Sequence, residues 1–141
     1  MRSAIFWVTY FILSLGLAGC EENQPQTQIP FALVDETINL NNFEFLALKT
    51  IGGYVTYDAG VRGIIIYRES ASVYKVFERN CTFQPLDNCA RINIDDSGLF
   101  LIDPCCQSKF SFLGNPFEGP AYIPLLEYRT TLDNNYLIIT N

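Results

Sequence analysis

The residues best suited to chemistry in this chain are its cysteines. The sequence contains five of them and no histidine. Cys105 and Cys106 stand side by side within Asp103–Phe110, and Cys81 and Cys89 lie a short distance upstream. Thiols this close in sequence can hold a metal, carry out redox chemistry or form disulfide bonds. The fold that positions them decides between these uses.

Catalytic roles find little support in the residues around these thiols. Without histidine, a serine or cysteine nucleophile would need lysine, aspartate or glutamate as its base, and no such motif is present. Redox-active pairs usually have a C-x-x-C spacing and a cationic neighbour, whereas Cys105 and Cys106 are adjacent and only Lys109 is near. Asp95 and Asp96 are predicted as turn residues rather than as an acid and base pair or a calcium loop. We therefore expect no enzyme.

Residues 1–19 are predicted to be an export signal. Ala4–Leu17 forms an apolar run of roughly 14 residues, shorter than the roughly 20 that a membrane-spanning helix needs. The following Leu17-Ala18-Gly19-Cys20 resembles the bacterial lipobox, which implies a lipid on Cys20 and a mature chain that begins there. Glu21-Glu22 resembles the acidic signature of some Bacteroidetes surface lipoproteins. We expect a protein anchored to the membrane by lipid, in the bacterial envelope at the outer membrane, on its periplasmic or surface face.

The net charge of the chain and its predicted export indicate which binding partners to expect. The formal net charge is −6, and an acidic surface repels phosphate backbones, so no nucleic acid is expected. The expected partner is an envelope protein of unknown identity. With Cys20 assigned to lipid, four cysteines remain, and an even number in an exported domain indicates disulfide bonds. Four cysteines allow three pairings, and the residues alone leave all three open.

The elements that must position the cysteines are predicted to be strands. Residues 20–30 are polar and contain two prolines, which predicts a tether, and residues 31–141 form one domain. Short β-rich runs separated by turn residues indicate an all-β class, with only Val34–Leu48 ambiguous. The predicted strands are Tyr54–Tyr57, Gly63–Arg68 buried on both faces, Tyr74–Arg79 half-exposed, Ala90–Ile94, Leu99–Ile102, Leu126–Leu132 and Tyr136–Thr140.

The loops between these strands carry a resemblance to the Rieske iron-sulfur domain. Cys81-Thr82-Phe83 with Cys89 downstream is similar to the first cysteine box of that family, and Asp103–Phe110 is similar to the second. The most specific matches are Pro104-Cys105, Ser108-x-Phe110, Gly119-Pro120-Ala121 and Pro124-Leu125. The resemblance implies a Rieske-like small antiparallel β-sandwich of stacked sheets, stapled by disulfides.

The resemblance also implies which residues occupy the cluster positions. A Rieske 2Fe-2S cluster has two cysteines on one iron and two histidines on the other. The corresponding positions here are Cys81, Phe83, Asp103 and Cys106, of which only Cys81 keeps the family residue. Phe83 carries no ligand atom, and we expect it to fill the space of the lost histidine and cluster. The expectation is therefore that no metal or other cofactor is bound.

Two disulfides follow from the same resemblance. Cys89 and Cys105 match the cysteines that bridge the two loops in the family. Cys81 and Cys106 occupy positions that converge on the cluster, so the second implied pair is Cys81–Cys106. The expected function is a binding or structural module of the envelope that has lost its cluster. The alternative is a 2Fe-2S electron-transfer protein, or one with mononuclear iron, whose ligands are Cys81, Asp103, Cys106 and one further thiolate.

Overall fold

Strands make up most of the regular structure in this computed structural model, which describes residues 28–141. The all-β prediction is confirmed. In chain order the strands are β1 Asp35–Asn39, β2 Tyr54–Tyr57, β3 Ile64–Arg68, β4 Tyr74–Glu78, β5 Asn93–Ile94, β6 Leu101–Ile102, β7 Lys109–Phe110, β8 Pro116–Glu118, β9 Glu127–Asp133 and β10 Tyr136–Thr140. A short 3₁₀ helix, Phe43–Lys49, lies between β1 and β2.

The strands form two antiparallel sheets. The larger sheet has the order β1-β10-β9-β4-β3-β2 and the smaller has the order β5-β6-β7-β8. The smaller sheet and its loops are inserted between β4 and β9, which pair directly with each other through Val76 and Tyr128. The two cysteine loops therefore belong to one compact insertion on a larger sheet.

The centre of the larger sheet is covered on both faces. Ile64 and Ile66 of β3 pack into one apolar core with residues of β1, β9 and β10. Ile65 points to the opposite face and shares a second core with Phe77, Leu101 and Phe110. Because side chains alternate along a strand, three consecutive isoleucines serve both cores. The prediction that this strand is buried on both faces is confirmed, since all three are 0% exposed.

Several predicted elements need correction. The run Tyr74–Arg79 was expected to be half-exposed, but β4 lies between β3 and β9, and the smaller sheet covers its second face. Its residues Val76, Phe77 and Glu78 are at most 1% exposed. The strands predicted at Ala90–Ile94 and Leu99–Ile102 shrink to β5 and β6, because residues 90–92 belong to the first cysteine loop and residues 99–100 to the turn between β5 and β6. Val34–Leu48 divides into β1 and the 3₁₀ helix.

One acidic side chain lies inside the larger sheet. The carboxylate of Glu78 accepts hydrogen bonds from the backbone N–H groups of Val61, Arg62 and Asn80 at 2.7 to 3.0 Å, and from the Tyr128 hydroxyl at 2.9 Å. Burial, and then the hydrogen bond to Glu78, raises the pKa of Tyr128. A buried polar group costs little when its partners are all supplied. Glu78 thus ties the β2–β3 loop to β4.

The glycine of the β2–β3 loop is required by this arrangement. Gly60 has a φ of +71°, and a side-chain carbon there would overlap the Glu78 carboxylate and the Tyr128 hydroxyl. Only glycine combines that backbone angle with so close an approach. The turn at Asp58-Ala59-Gly60 therefore also forms the wall of a buried polar site.

The predicted signal peptide 1–19 and the lipid site Cys20 lie outside the described residues. Of the predicted tether, only residues 28–30 are described, and they have no regular structure. Within residues 28–141 no helix has the length and apolar character needed to cross a membrane.

Candidate functional site

Two loops at one end of the smaller sheet bring the cysteines together. The first loop follows β4 and carries Cys81 and Cys89, and the second joins β6 to β7 and carries Cys105 and Cys106. A disulfide joins Cys89 to Cys105, whose Cα atoms are 5.6 Å apart and whose positions in the sequence differ by 16. This covalent link holds the two loops against each other, in the pairing that the resemblance implied.

The second loop is folded around Asp103. Its Oδ1 accepts a hydrogen bond from the Cys105 N–H at 2.7 Å, and its backbone carbonyl accepts one from the Gln107 N–H at 2.8 Å. Asp103 N–H in turn donates to the Ser108 carbonyl oxygen at 2.9 Å. A short acidic side chain that bonds to backbone two residues ahead is typical of a tight turn. This turn directs Cys106 back toward Cys81.

Three ligand-type atoms meet between the loops. The Sγ atoms of Cys81 and Cys106 are 3.9 Å apart, and Cys106 Sγ lies 3.4 Å from Asp103 Oδ2. All three donor atoms lie within 4.8 Å of one another. Cys81 and Asp103 are 0% exposed, whereas Cys106 is half-buried. The group of donor atoms is therefore buried at Cys81 and Asp103 and accessible to solvent only at Cys106.

The Cys81–Cys106 disulfide implied by the resemblance is not formed in the structure. A disulfide needs its sulfur atoms about 2.05 Å apart, and these two thiols are 3.9 Å apart and unbonded. The neighbourhood favours the thiol form of Cys81: burial raises its pKa, and the nearby Asp103 carboxylate adds to that effect. The disulfide stays a prediction that concerns the oxidised protein.

A third segment closes the pocket. Ser108 is fully buried, lies with its Oγ 3.1 Å from Cys106 Sγ, and accepts a hydrogen bond from Ala121 N–H at 3.0 Å. Gly119, at φ +93°, approaches the Ser108 backbone so closely that any side chain there would overlap it. Thr82 Oγ1 donates to the Ile123 carbonyl oxygen at 2.7 Å. The Gly119-Pro120-Ala121 motif thus packs directly behind the cysteines.

Phe83 lies at the edge of this pocket. It is half-buried and packs against the core that contains Cys81, Leu101 and Phe110. A phenyl ring contributes apolar contact and no ligand atom. The position that would carry a histidine in the Rieske family therefore contributes only packing.

The other candidates from the sequence lie in structural roles. Lys109, the cation nearest the cysteine pair in sequence, is bound to both carboxylate oxygens of Glu118 at 2.9 Å. Asp95 accepts hydrogen bonds from Ser97 in the turn after β5. Neither residue belongs to the cluster of donor atoms around Cys81.

Two polar residues of importance were given no role by sequence reasoning. Ser108 has a sequence signal, because Ser108-x-Phe110 is one of the motif matches and lies in the same short loop as Cys106. Glu78 has none, because an acidic residue at the end of an alternating strand predicts a solvated side chain. Only the contacts of the β2–β3 loop and of Tyr128 on this face of β4 explain its burial.

Comparison with solved structures assigns the architecture. The crystal structure of the plasma membrane Rieske protein PetC3 from the cyanobacterium Synechocystis PCC 6803 aligns with a TM-score of 0.54 and 18% identity, over 70% of this chain and 95% of that one. The chain has the Rieske fold. At this level of identity the likeness establishes the Rieske fold alone.

Other comparisons add no further assignment. A ferredoxin from Sphingomonas yanoikuyae B1 aligns at 18% identity and a TM-score of 0.44, over 65% of this chain and 88% of that one. The ferredoxin of carbazole 1,9a-dioxygenase from Nocardioides aromaticivorans IC177 aligns at 14% identity and a TM-score of 0.45, over 80% and 98%. No family model and no curated protein matches the chain.

The residues present do not fit the 2Fe-2S cluster that the Rieske fold can carry. Such a cluster needs two protein ligands on each of two irons. Within residues 28–141 the pocket gathers three donors, Cys81, Asp103 and Cys106, and the sequence has no histidine to complete the set. Phe83, at the position that the resemblance assigns to a histidine, contributes an apolar ring and no ligand atom. We derive no electron-transfer step through this pocket.

Proposed function

We propose that this chain is a Rieske-fold domain that has lost its cluster and acts as a binding or structural module of the bacterial envelope. The observation that carries the proposal is the incomplete ligand set: three donors, and Phe83 at the position that matches a histidine of the family. The Cys89–Cys105 bond holds the two loops together without a cluster, which supports a structural use of the fold.

The remaining thiols support a structural use. Cys81 and Cys106 need to approach by less than 2 Å to bond, which a half-buried loop residue can achieve. In this step each thiol loses its proton, the new S–S bond forms, and two electrons pass to the disulfide of an oxidoreductase of the envelope. The product is a second covalent link between the same two loops, and peptide mapping without reduction would recover Cys81 joined to Cys106.

The proposal includes attachment of the protein to the membrane through a lipid. The lipobox-like Leu17-Ala18-Gly19-Cys20 supports a lipid on Cys20, which would place the domain at the outer membrane beside a protein partner. The variant Cys20→Ser should leave the membrane fraction, whereas Cys106→Ser should remain in it. Retention of Cys20→Ser in the membrane fraction would contradict the anchor.

The loss of the cluster is tested by iron and acid-labile sulfide analysis of the protein purified from its native membrane. We expect less than a tenth of an equivalent of iron, on the order of adventitious content, and no visible absorption from thiolate-bound iron. Stoichiometric iron and sulfide, with an EPR signal after reduction, would establish the alternative 2Fe-2S electron-transfer function. Cys81→Ser is the matched control, because it removes a donor without touching the Cys89–Cys105 bond.

A further inference from the structure

The pocket between the cysteine loops has the dimensions of a site for one metal ion. On a tetrahedral zinc ion, two thiolates with Zn–S bonds of about 2.3 Å lie about 3.8 Å apart, and a thiolate and a carboxylate oxygen lie about 3.6 Å apart. The corresponding distances here are 3.9 Å between the two Sγ atoms and 3.4 Å between Cys106 Sγ and Asp103 Oδ2. Both lie within about 0.2 Å of the distances expected for a shared ion.

The burial of Asp103 points to the same conclusion. Its side chain is fully buried, and its Oδ1 is held by the Cys105 N–H. Its Oδ2 faces sulfur, and a thiol is a weak hydrogen-bond donor. A buried carboxylate ordinarily has a cation or several strong donors as its partners. Oδ2 therefore faces Cys106 Sγ, a weak donor, in a cluster whose three ligand atoms lie within 4.8 Å of one another.

From these contacts we propose that the reduced protein binds a single thiophilic divalent cation, of the class of Zn²⁺, through Cys81, Cys106 and Asp103. Binding displaces the two thiol protons into solvent, and the two thiolates and the carboxylate coordinate the ion. Water fills the fourth position, on the side where Cys106 is partly exposed. This site differs from an iron-sulfur cluster in metal, in nuclearity and in its ligands, and it does not depend on the envelope role proposed above.

The groups around the donors suit this role. A metal site needs outer partners that fix its ligands. Cys105 N–H orients the Asp103 carboxylate, and Ser108, which already accepts a bond from Ala121, can donate its own hydroxyl proton to a Cys106 thiolate. The Cys89–Cys105 bond fixes the loop that carries all of these groups. Oxidation of Cys81 and Cys106 to a disulfide would consume two ligands, so metal and disulfide are alternative states of the same sulfur atoms.

The test is titration of the full-length chain, extracted in detergent with the Cys89–Cys105 bond intact and Cys81 and Cys106 as thiols, with Co²⁺ as the spectroscopic probe. We expect one equivalent to bind, with thiolate-to-cobalt charge transfer in the near ultraviolet and the strong visible bands of tetrahedral cobalt. One equivalent of Zn²⁺ should abolish the spectrum and protect two thiols from alkylation. A weak octahedral spectrum, or binding with neither band, would overturn the proposal.

Variants assign the ligands. Cys106→Ser and Asp103→Asn should each weaken Co²⁺ binding by more than the roughly 10- to 100-fold that loss of an outer partner costs. Asp103→Asn should keep the charge-transfer intensity per bound ion, because both thiolates remain, whereas Cys106→Ser should halve it. Asp96→Asn, an exposed acidic control in the β5–β6 turn, should bind as the parent does. Far-ultraviolet circular dichroism confirms that each variant is folded.

Unchanged affinity in both ligand variants would overturn the assignment. Iron and sulfide content of the natively produced protein is an independent readout. A sample free of iron that also binds no cobalt would reject the zinc site and leave the cluster-free function standing. A sample with stoichiometric iron and sulfide would reject the cluster-free function.

Discussion

The molecule buries two carboxylates in two different ways. Glu78, in the centre of the larger sheet, accepts four hydrogen bonds from three backbone N–H groups and a tyrosine hydroxyl. Asp103, between the cysteine loops, accepts one side-chain hydrogen bond from a backbone N–H and otherwise faces Cys106 sulfur. Both residues are 0% exposed. Although the two carboxylates are equally buried, the first accepts four strong hydrogen bonds, whereas the second accepts one from a backbone N–H and faces a thiol, a weak donor.

The largest expected effect is at Glu78. Glu78→Gln keeps one acceptor oxygen but turns an NH₂ group toward donors, so we expect a loss of about 3 kcal/mol in the free energy of unfolding. Urea denaturation measures it. The control is Glu127→Gln, which removes an exposed ion pair with Lys75 and should cost no more than about 1 kcal/mol. Equal losses in the two variants would show that Glu78 is not specially placed.

Next in size is the glycine that admits the Glu78 carboxylate. Gly60→Ala combines a φ of +71° with overlap on Glu78, and we expect a loss of about 2 kcal/mol. Gly52→Ala is the matched control, since its φ is +84° but no atom lies within 4 Å of the added carbon. It should cost about 1 kcal/mol, the strain of the backbone angle alone. If both variants lose the same amount, the overlap with Glu78 contributes nothing.

A smaller effect concerns pH. Burial and the Glu78 hydrogen bond raise the pKa of Tyr128 above the value of about 10 expected in the unfolded chain. The protonated hydroxyl therefore contributes stability that is present below about pH 10 and is lost as the pH rises toward the folded-state value. Tyr128→Phe should cost about 1 kcal/mol at neutral pH and flatten the alkaline decline.

Denaturation midpoints measured between pH 8 and 11 test this dependence on Tyr128. Tyr136→Phe, at an exposed strand position, controls for loss of a tyrosine hydroxyl. Parallel curves for Tyr128→Phe and the parent protein would contradict the expected flattening.

The smallest effect on stability is expected at Asp103. Asp103→Asn keeps the oxygen that accepts from Cys105 N–H. It replaces Oδ2, which faces Cys106 Sγ, by an NH₂ group that can donate to sulfur. We expect the free energy of unfolding of the metal-free protein to stay within about 1 kcal/mol of the parent. The variant removes a buried charge that has few strong hydrogen-bond partners to lose. A loss as large as that of Glu78→Gln would show that the two carboxylates are equivalent and would remove the contrast.

The outline of the fold was available from the sequence. Alternating and β-branched runs predicted β2, β3, β4, β9 and β10, because side-chain periodicity in a strand is a local property. The short strands of the insertion were predicted too long. A strand of two residues is too short to show the alternation of side chains from which strands are predicted. Its ends depend on how the neighbouring turn and cysteine loops fold.

Part of the site was also available from the sequence. Cys81, Asp103 and Cys106 were singled out by motif resemblance, and the structure brings these three donors together. The distances between their donor atoms were not predictable. The roughly 2 Å between the S–S distance of a disulfide and the distance of two thiolates on one ion depends on how the loops pack. The burial of Glu78 was missed for a similar reason, because a strand pattern does not show that the β2–β3 loop and Tyr128 cover its carboxylate.

Two things were determined by the sequence itself. It fixed the absence of histidine, and with it the loss of the standard ligand set, and it supplied the strand pattern of an all-β chain. Only the tertiary structure decided which polar groups are buried and how far apart the sulfur atoms lie. The physical reason is range: periodicity acts over a few residues, whereas Cys81 and Cys106 are 25 residues apart, and Glu78 and Tyr128 are 50 apart.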